Sequence, residues 1–352
     1  MNMNLNSKLI ALAAGTLSVA LTAACDNDDI DFPDYGVVSV YFPYQTPVRT
    51  LVLGSDVVET DLDKQHKCRI SATMGGAYGG RDIEVDFVVD ESLLTNVRNE
   101  AGEPLKAMPA DYYRLSGNRL SFGGQQTGSV EVQLTDAFFA DPKSVESTYI
   151  IPIRMTGQVG ADTILSGSFD PEAFDTAPAR LDGDSWKVKP MDYVLYCVKY
   201  KCKYDAYFSR CGKYTVGGTT VQIPDEAKWE GHFDPVVDGD DCNTRTVSLN
   251  QVLYSVSKTV EGVEMNCELL LTFDEQGACT LTSKTEGISV SGSGKFTPEG
   301  AKKAWGGKDR DLLELNFTLS DGTASMTCAE SLVWKRSGVL PVEEFKTKYV
   351  AE

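Results

Sequence analysis

Apolar side chains fall at every second position through long stretches of this chain, and that period restricts it to β-structure more than any other feature. Ile83, Val85 and Phe87 alternate with Glu84, Asp86 and Val88. Val130, Val132 and Leu134 alternate with Glu131, Gln133 and Thr135. Successive side chains of a strand point to opposite faces, so each run describes a sheet with one buried and one wetter face. Further strands are predicted at residues 37–42, 48–53, 67–74, 119–122 and 149–155, with a helical turn at 92–97. Short strands at this spacing, separated by turn residues, predict an immunoglobulin-like β-sandwich over residues 36–157.

Residues 158–189 are rich in Gly, Asp, Ser and Pro and read as a linker. A second all-β domain is expected over residues 190–340, opening with one long strand. In that strand Val194, Tyr196, Val198, Tyr200, Cys202, Tyr204, Ala206 and Phe208 share a face opposite Cys197, Lys199, Lys201, Lys203 and Asp205. Hairpins follow, so an antiparallel meander or up-and-down β-barrel is predicted. One hairpin turns at Asp321-Gly322, which places Cys328 opposite Leu315 as a buried free thiol. Another turns over Asp274-Glu275-Gln276-Gly277 and places Thr272 opposite Cys279, far from Cys267, which argues against a Cys267–Cys279 disulfide. The remaining connectivities stay open. Residues 341–352 read as a C-terminal tail.

Ahead of the sandwich, Lys8 is the sole charged residue before Cys25, and residues 9–24 are apolar or small. Such a run is short for a membrane span and suits a signal peptide covering residues 1–24. Ala23-Ala24-Cys25 makes it a lipoprotein signal, with Cys25 carrying the lipid, although Thr22 stands where the usual motif has Leu. Residues 25–35 form an acidic tether. Asp26, Asp28 and Asp29 resemble the export signal of Bacteroidetes surface lipoproteins, which implies anchoring on the outer face of the outer membrane.

The run from Met108 to Ser116, then Arg119-Leu120-Ser121-Phe122 and Gly128-Ser129-Val130-Glu131-Val132, resembles an accessory sandwich domain of Bacteroidetes surface lipoproteins. The same domain type precedes family-18 endoglycosidases and laminin-G-like modules. Tyr200-Lys201, Cys211-Gly212-Lys213-Tyr214 and Trp305-Gly306-Gly307-Lys308 resemble the β-rich C-terminal domain of the same lipoproteins. The resemblance implies a non-catalytic glycan-binding protein of a polysaccharide-uptake system, with outer-membrane uptake components as possible partners. An adhesin or structural surface protein that contacts other proteins is the alternative.

A net charge of −18 repels phosphate backbones and anionic headgroups, so nucleic acid is not an expected partner and the lipid anchor is the expected membrane contact. Glycan recognition uses aromatic rings stacked on sugar faces. Trp229, in a polar, loop-like stretch, is the first candidate platform, and Tyr44, Tyr78 and Trp186 sit among turn residues. Packing is the competing role for each ring. Neither His66 nor His232 stands in a recognisable catalytic setting, so no catalytic residue, cofactor or metal is assigned. Asp234, Asp238, Asp240 and Asp241 could hold calcium on a turn, but a solvated acidic loop is the preferred reading.

Overall fold

Strand pairing divides the chain at residue 202. The computed structural model describes residues 34–224, 239–304, 307–340 and 343–351. Cys25, Asp26, Asp28, Asp29, Trp229, His232, Asp234, Asp238 and Trp305 lie outside the described residues.

The first unit is a β-sandwich. One layer carries strands Ser39–Tyr41, Lys67–Gly75 and Thr127–Leu134. The other carries Arg119–Ser121, Glu84–Val89, Tyr149–Val159, Tyr193–Lys201 and Val48–Val52, in that order. A bridge between Ser121 and Ser129 links the two layers. The alternating residues meet between them: Ile70, Val130 and Val132 pack with Val85, Phe87, Ile153 and Val198. Each such aliphatic side chain stabilises the fold by about 1.5–3 kcal/mol relative to exposure. The second layer is buried on its far face too, where Ile150, Tyr193, Leu195 and Cys197 form a smaller core with Val48 and Leu93. This explains the unbroken apolar run at 193–198, since a strand covered on both faces has no wet positions to alternate. The predicted helical turn is a short 3-10 helix, Glu91–Leu94, capped by Asp90.

The single long strand expected from Val194 to Phe208 is corrected. Tyr193–Lys201 runs antiparallel to Tyr149–Val159 and parallel to Val48–Val52, so it completes the sandwich. The chain then turns through residues 202–206, and a new strand, Tyr207–Val216, enters the second unit. The 158–189 segment precedes the sandwich's last strand and packs on the sandwich. Thr163–Ile164 pairs with Ser39–Tyr41, and Ser168–Phe169 pairs with Trp186–Val188.

The second unit is a closed eight-stranded antiparallel barrel. Its wall is Tyr207–Val216, Asp240–Ser248, Gln251–Val260, Val263–Phe273, Ala278–Ser283, Ser289–Ala301, Arg310–Ser320 and Ser325–Arg336. Pairing of the first with the last, from Tyr207 with Arg336 to Thr215 with Thr327, closes it. Strand Thr219–Ile223 is a hairpin partner of Tyr207–Val216. Inward residues such as Met265, Leu269, Leu271, Leu313, Leu315 and Phe317 fill the interior. Tyr204 plugs the end nearer the sandwich, stacked on Phe273 at 3.7 Å between centroids.

Two hairpin registers differ from expectation. Phe273, not Thr272, faces Cys279, because Asp274 and Ala278 pair across a three-residue loop closed by Gly277 at φ +82°. Cys328 faces Phe317 rather than Leu315, because Ser320 pairs with Ser325 across four residues. There Asp321 accepts from the amides of Thr323 and Ala324, which widens the turn. Cys328 keeps its inward parity and is a buried free thiol, and Cys267 and Cys279 are unbonded as well.

A polar joint and a returning tail connect the units. Asp205 accepts from Lys201 Nζ at 3.0 Å and from the Thr246 amide at 2.7 Å. Ser55 donates to Asp311 of the barrel at 2.8 Å. Beyond the barrel, the Phe345 amide donates to the Thr46 carbonyl, and Lys348–Tyr349 pairs with Val97–Arg98 of the sandwich.

Candidate ligand groove

Val48–Val52 stands at the edge of its layer, and the chain leading into it, Pro43-Tyr44-Gln45-Thr46-Pro47, runs beside Tyr193–Lys201, where the Gln45 and Pro47 carbonyls accept from the Leu195 and Cys197 amides. Two prolines limit the backbone freedom of that segment. Between this edge and strand Lys67–Gly75 of the other layer is an open groove of about 260 Å³. Val48, Ile70, Val194 and Tyr196 give it an apolar floor. Tyr44 stands at its side, 43% exposed, so its ring is free to meet a ligand. Arg49, Arg69 and Glu343 supply the charged groups.

Each group is held by the fold. Arg49 donates to the Thr50 carbonyl at 2.6 Å and pairs with Asp63. Asp63 is buried and also accepts from the Val52 amide at 2.8 Å. Burial pushes its carboxyl above the ordinary value, against the pull of that amide and of Arg49. The Tyr196 hydroxyl donates to the Arg69 carbonyl at 2.9 Å, which locks the floor, and burial raises its pKa well above that of free tyrosine. Glu343 arrives on the returning tail: its carbonyl accepts from the Val48 amide at 2.7 Å, and its carboxylate pairs with Lys199 at 3.1 Å. Arg69 forms no ion pair among the described residues. The result is an apolar floor beside an exposed ring, with guanidinium donors and a carboxylate acceptor. That combination suits a ligand with one apolar face and several hydroxyls.

Of the described ring positions, Tyr78 and Trp186 do not join this groove. Tyr78 is 61% exposed on the turn after Lys67–Gly75, beside the Arg81–Asp34 ion pair. Trp186 is corrected from a ligand platform to a packing residue. It is 8% exposed, donates its indole N–H to the Ala179 carbonyl at 2.9 Å, and meets Phe169 edge-on at 5.8 Å. Asp240 and Asp241 lie on a strand, not a loop, and diverge: Asp241 pairs outward with Lys335, while Asp240 reaches inward to Arg210 at 3.8 Å. Among the described residues no cluster of three or more His, Cys, Asp or Glu side chains converges as a metal site would require.

Arg49, Arg69 and Glu343 were not singled out in the sequence. The two arginines occupy alternate positions on predicted strands, a faint signal. Glu343 has none, because only the tail's path brings it to the groove.

A solved structure of a Bacteroides ovatus protein of unknown function is 35% identical to this chain, with a TM-score of 0.77. The match covers 90% of this chain and 100% of that one. The chain belongs to that protein's family. Within it, residues 203–338 match a domain of unknown function, DUF5627, and residues 33–162 match a family of N-terminal domains. The first of these spans begins just after the sandwich's last strand and holds the whole barrel. A second Bacteroides ovatus protein of unknown function is 11% identical, with a TM-score of 0.38 over 84% of this chain and 90% of that one. A candidate carbohydrate-binding protein from Bacteroides ovatus is 10% identical, with a TM-score of 0.25 over 89% of this chain and 98% of that one. Backbone agreement this low carries no functional argument. No curated protein matches the chain.

Proposed function

We propose that the protein is a lipid-anchored, surface-exposed, non-catalytic glycan-binding protein that serves polysaccharide uptake at the outer membrane. The observation that carries the binding role is the Tyr44 groove: a 43%-exposed ring beside an apolar floor, with Arg49, Arg69 and Glu343 placed for hydroxyl contacts. Aromatic rings present a large apolar face with little conformational entropy to lose, which suits stacking on a pyranose. The apolar run before Cys25, and Asp26, Asp28 and Asp29 after it, support the anchor and its outward display. Membership in a family known from Bacteroides is compatible with that address.

Affinity gels loaded with a panel of polysaccharides test the binding role. Retardation of the wild type by at least one polysaccharide, lost in Tyr44→Ala, is the expected result. Retardation that survives in Tyr44→Ala moves the site elsewhere, with Trp229 next to be substituted. No retardation across the panel replaces the glycan reading with the adhesin one. Mass spectrometry of the mature amino terminus tests the anchor, which requires an acylated Cys25. Protease treatment of intact cells tests display, which requires cleavage.

A further inference from the structure

Two arginines of this chain stand near tyrosines and carboxylates, and they are placed very differently. Inside the barrel, Glu330 points inward between Cys328 and Leu332, with its side chain fully buried. Tyr254 donates to one of its oxygens at 2.8 Å and Tyr214 to the other. Arg210 donates to the Tyr254 hydroxyl at 3.3 Å and lies within ion-pair range of Glu330 and Asp240. Arg69, which lines the Tyr44 groove, has no such company. The residue is exposed, and its guanidinium takes part in no hydrogen bond or ion pair among the described residues.

The charged groups around Arg69 are already committed. Arg49 uses both terminal nitrogens, one on the Thr50 carbonyl and one on Asp63. Glu343 pairs with Lys199 at 3.1 Å. Glu131 stands opposite Arg69 in register on the next strand, yet its carboxylate is held by Lys67 at 2.7 Å. One uncompensated cation therefore shares a groove with the exposed Tyr44 ring, on a chain whose net charge is −18. The root of its side chain is fixed, because the Tyr196 hydroxyl donates to the Arg69 carbonyl at 2.9 Å within strand Lys67–Gly75. A guanidinium is a planar fork of five N–H donors that matches the two oxygens of a carboxylate.

We infer that the groove selects acidic glycans, holding a hexuronate unit with its ring on Tyr44 and its carboxylate on the Arg69 fork. This inference rests on the glycan-binding reading and adds the class of sugar to it. A uronate carries one carboxylate at the rim of a ring that otherwise presents hydroxyls. Arg69 receives the carboxylate, and Glu343 accepts from a hydroxyl. A neutral hexose leaves Arg69 to water, and a polysulfated sugar sets further negative charge against Glu343. At about 260 Å³ the groove is smaller than the roughly 300–1,000 Å³ of pockets that enclose a whole ligand, which suits one unit of a longer chain.

Affinity gels of the full chain with polygalacturonate, alginate, methyl-esterified polygalacturonate, dextran sulfate and neutral polysaccharides, all at one ionic strength, test the inference. The expected result is retardation by at least one of the two polyuronates, stronger than by any neutral, esterified or sulfated polymer. Arg69→Gln weakens that binding about tenfold, the worth of one charge-assisted contact. Arg114→Gln makes the same charge change at an exposed sandwich arginine outside the groove and leaves binding as it was. The inference is overturned if a neutral or esterified polymer retards the chain as strongly as the polyuronates, if dextran sulfate does so, or if Arg114→Gln weakens binding as much as Arg69→Gln. Retardation by neutral polysaccharides alone, lost in Tyr44→Ala, overturns it too but leaves the glycan-binding reading in place. Retardation by no polysaccharide of any charge removes that reading itself.

Discussion

The sandwich groove and the barrel interior both join tyrosines with an arginine and a carboxylate, yet they stand in opposite relation to stability. In the groove the ring and Arg69 face solvent, and their removal leaves little unsatisfied. In the barrel Glu330, Tyr254 and Arg210 are buried, so each depends on the others for hydrogen bonds. A surface constellation can change without cost to the fold, whereas an interior one is bound up with it.

The comparison breaks most directly at Glu330. Glu330→Ala leaves the Arg210 charge buried and two tyrosine hydroxyls without an acceptor. A loss of about 3–5 kcal/mol is expected in denaturant unfolding. Survival of the variant at wild-type stability would show that the cluster is hydrated and not a structural unit. Protonation probes the same residue more gently. Burial, against the pull of Arg210, pushes the Glu330 carboxyl up to about 7, from an ordinary value of 4.5. A folded pKa above the unfolded one means that the folded chain holds the proton longer. Stability is therefore greatest below pH 4.5 as far as this group is concerned, and falls as pH rises towards 7. The fall is on the order of 3 kcal/mol at most. Thermal unfolding from pH 5 to 8 should show the decline, and Glu330→Gln should flatten it.

Phe345 tests the tie between the tail and the groove. Its side chain is half-buried against the smaller sandwich core. Phe345→Ala should cost about 1–2 kcal/mol, less than a fully buried aromatic. It should also weaken binding at the groove, because Glu343 rides on the same segment. The smallest effect on stability belongs to the groove itself: Arg69→Ala should shift unfolding by less than about 0.5 kcal/mol. The same variant should reduce polysaccharide retardation, which the gel comparison with Tyr44→Ala reads.

Strands were legible where one face is wet. Lys67–Gly75, Glu84–Val89 and Thr127–Leu134 lie within a few residues of their predicted bounds. The handover between units was not legible, because Cys202, Tyr204 and Ala206 prolong the alternation across a turn where the chain changes sheets. Their burial comes from plugging the barrel, which imitates a strand's inward face. The partners of Tyr193–Lys201 lie far back in sequence, and no local pattern names them. Tyr44 could be picked out as an aromatic among turn residues. Trp186 misled because turn residues surround it while its N–H finds a carbonyl inside. Glu330 left a trace, a charge at inward parity between Cys328 and Leu332. Arg210, in a run with little contrast between faces, left almost none.

The strap formed by residues 343–351 also bears on how the molecule is assembled. The sandwich is laid down by residues before 202, yet one wall of its groove comes from a segment that follows the barrel. A chain emerging amino end first can close the barrel's last strand before that wall exists. The groove then matures later than the barrel, and its appearance reports that the chain has been threaded and folded through the segment that follows the barrel.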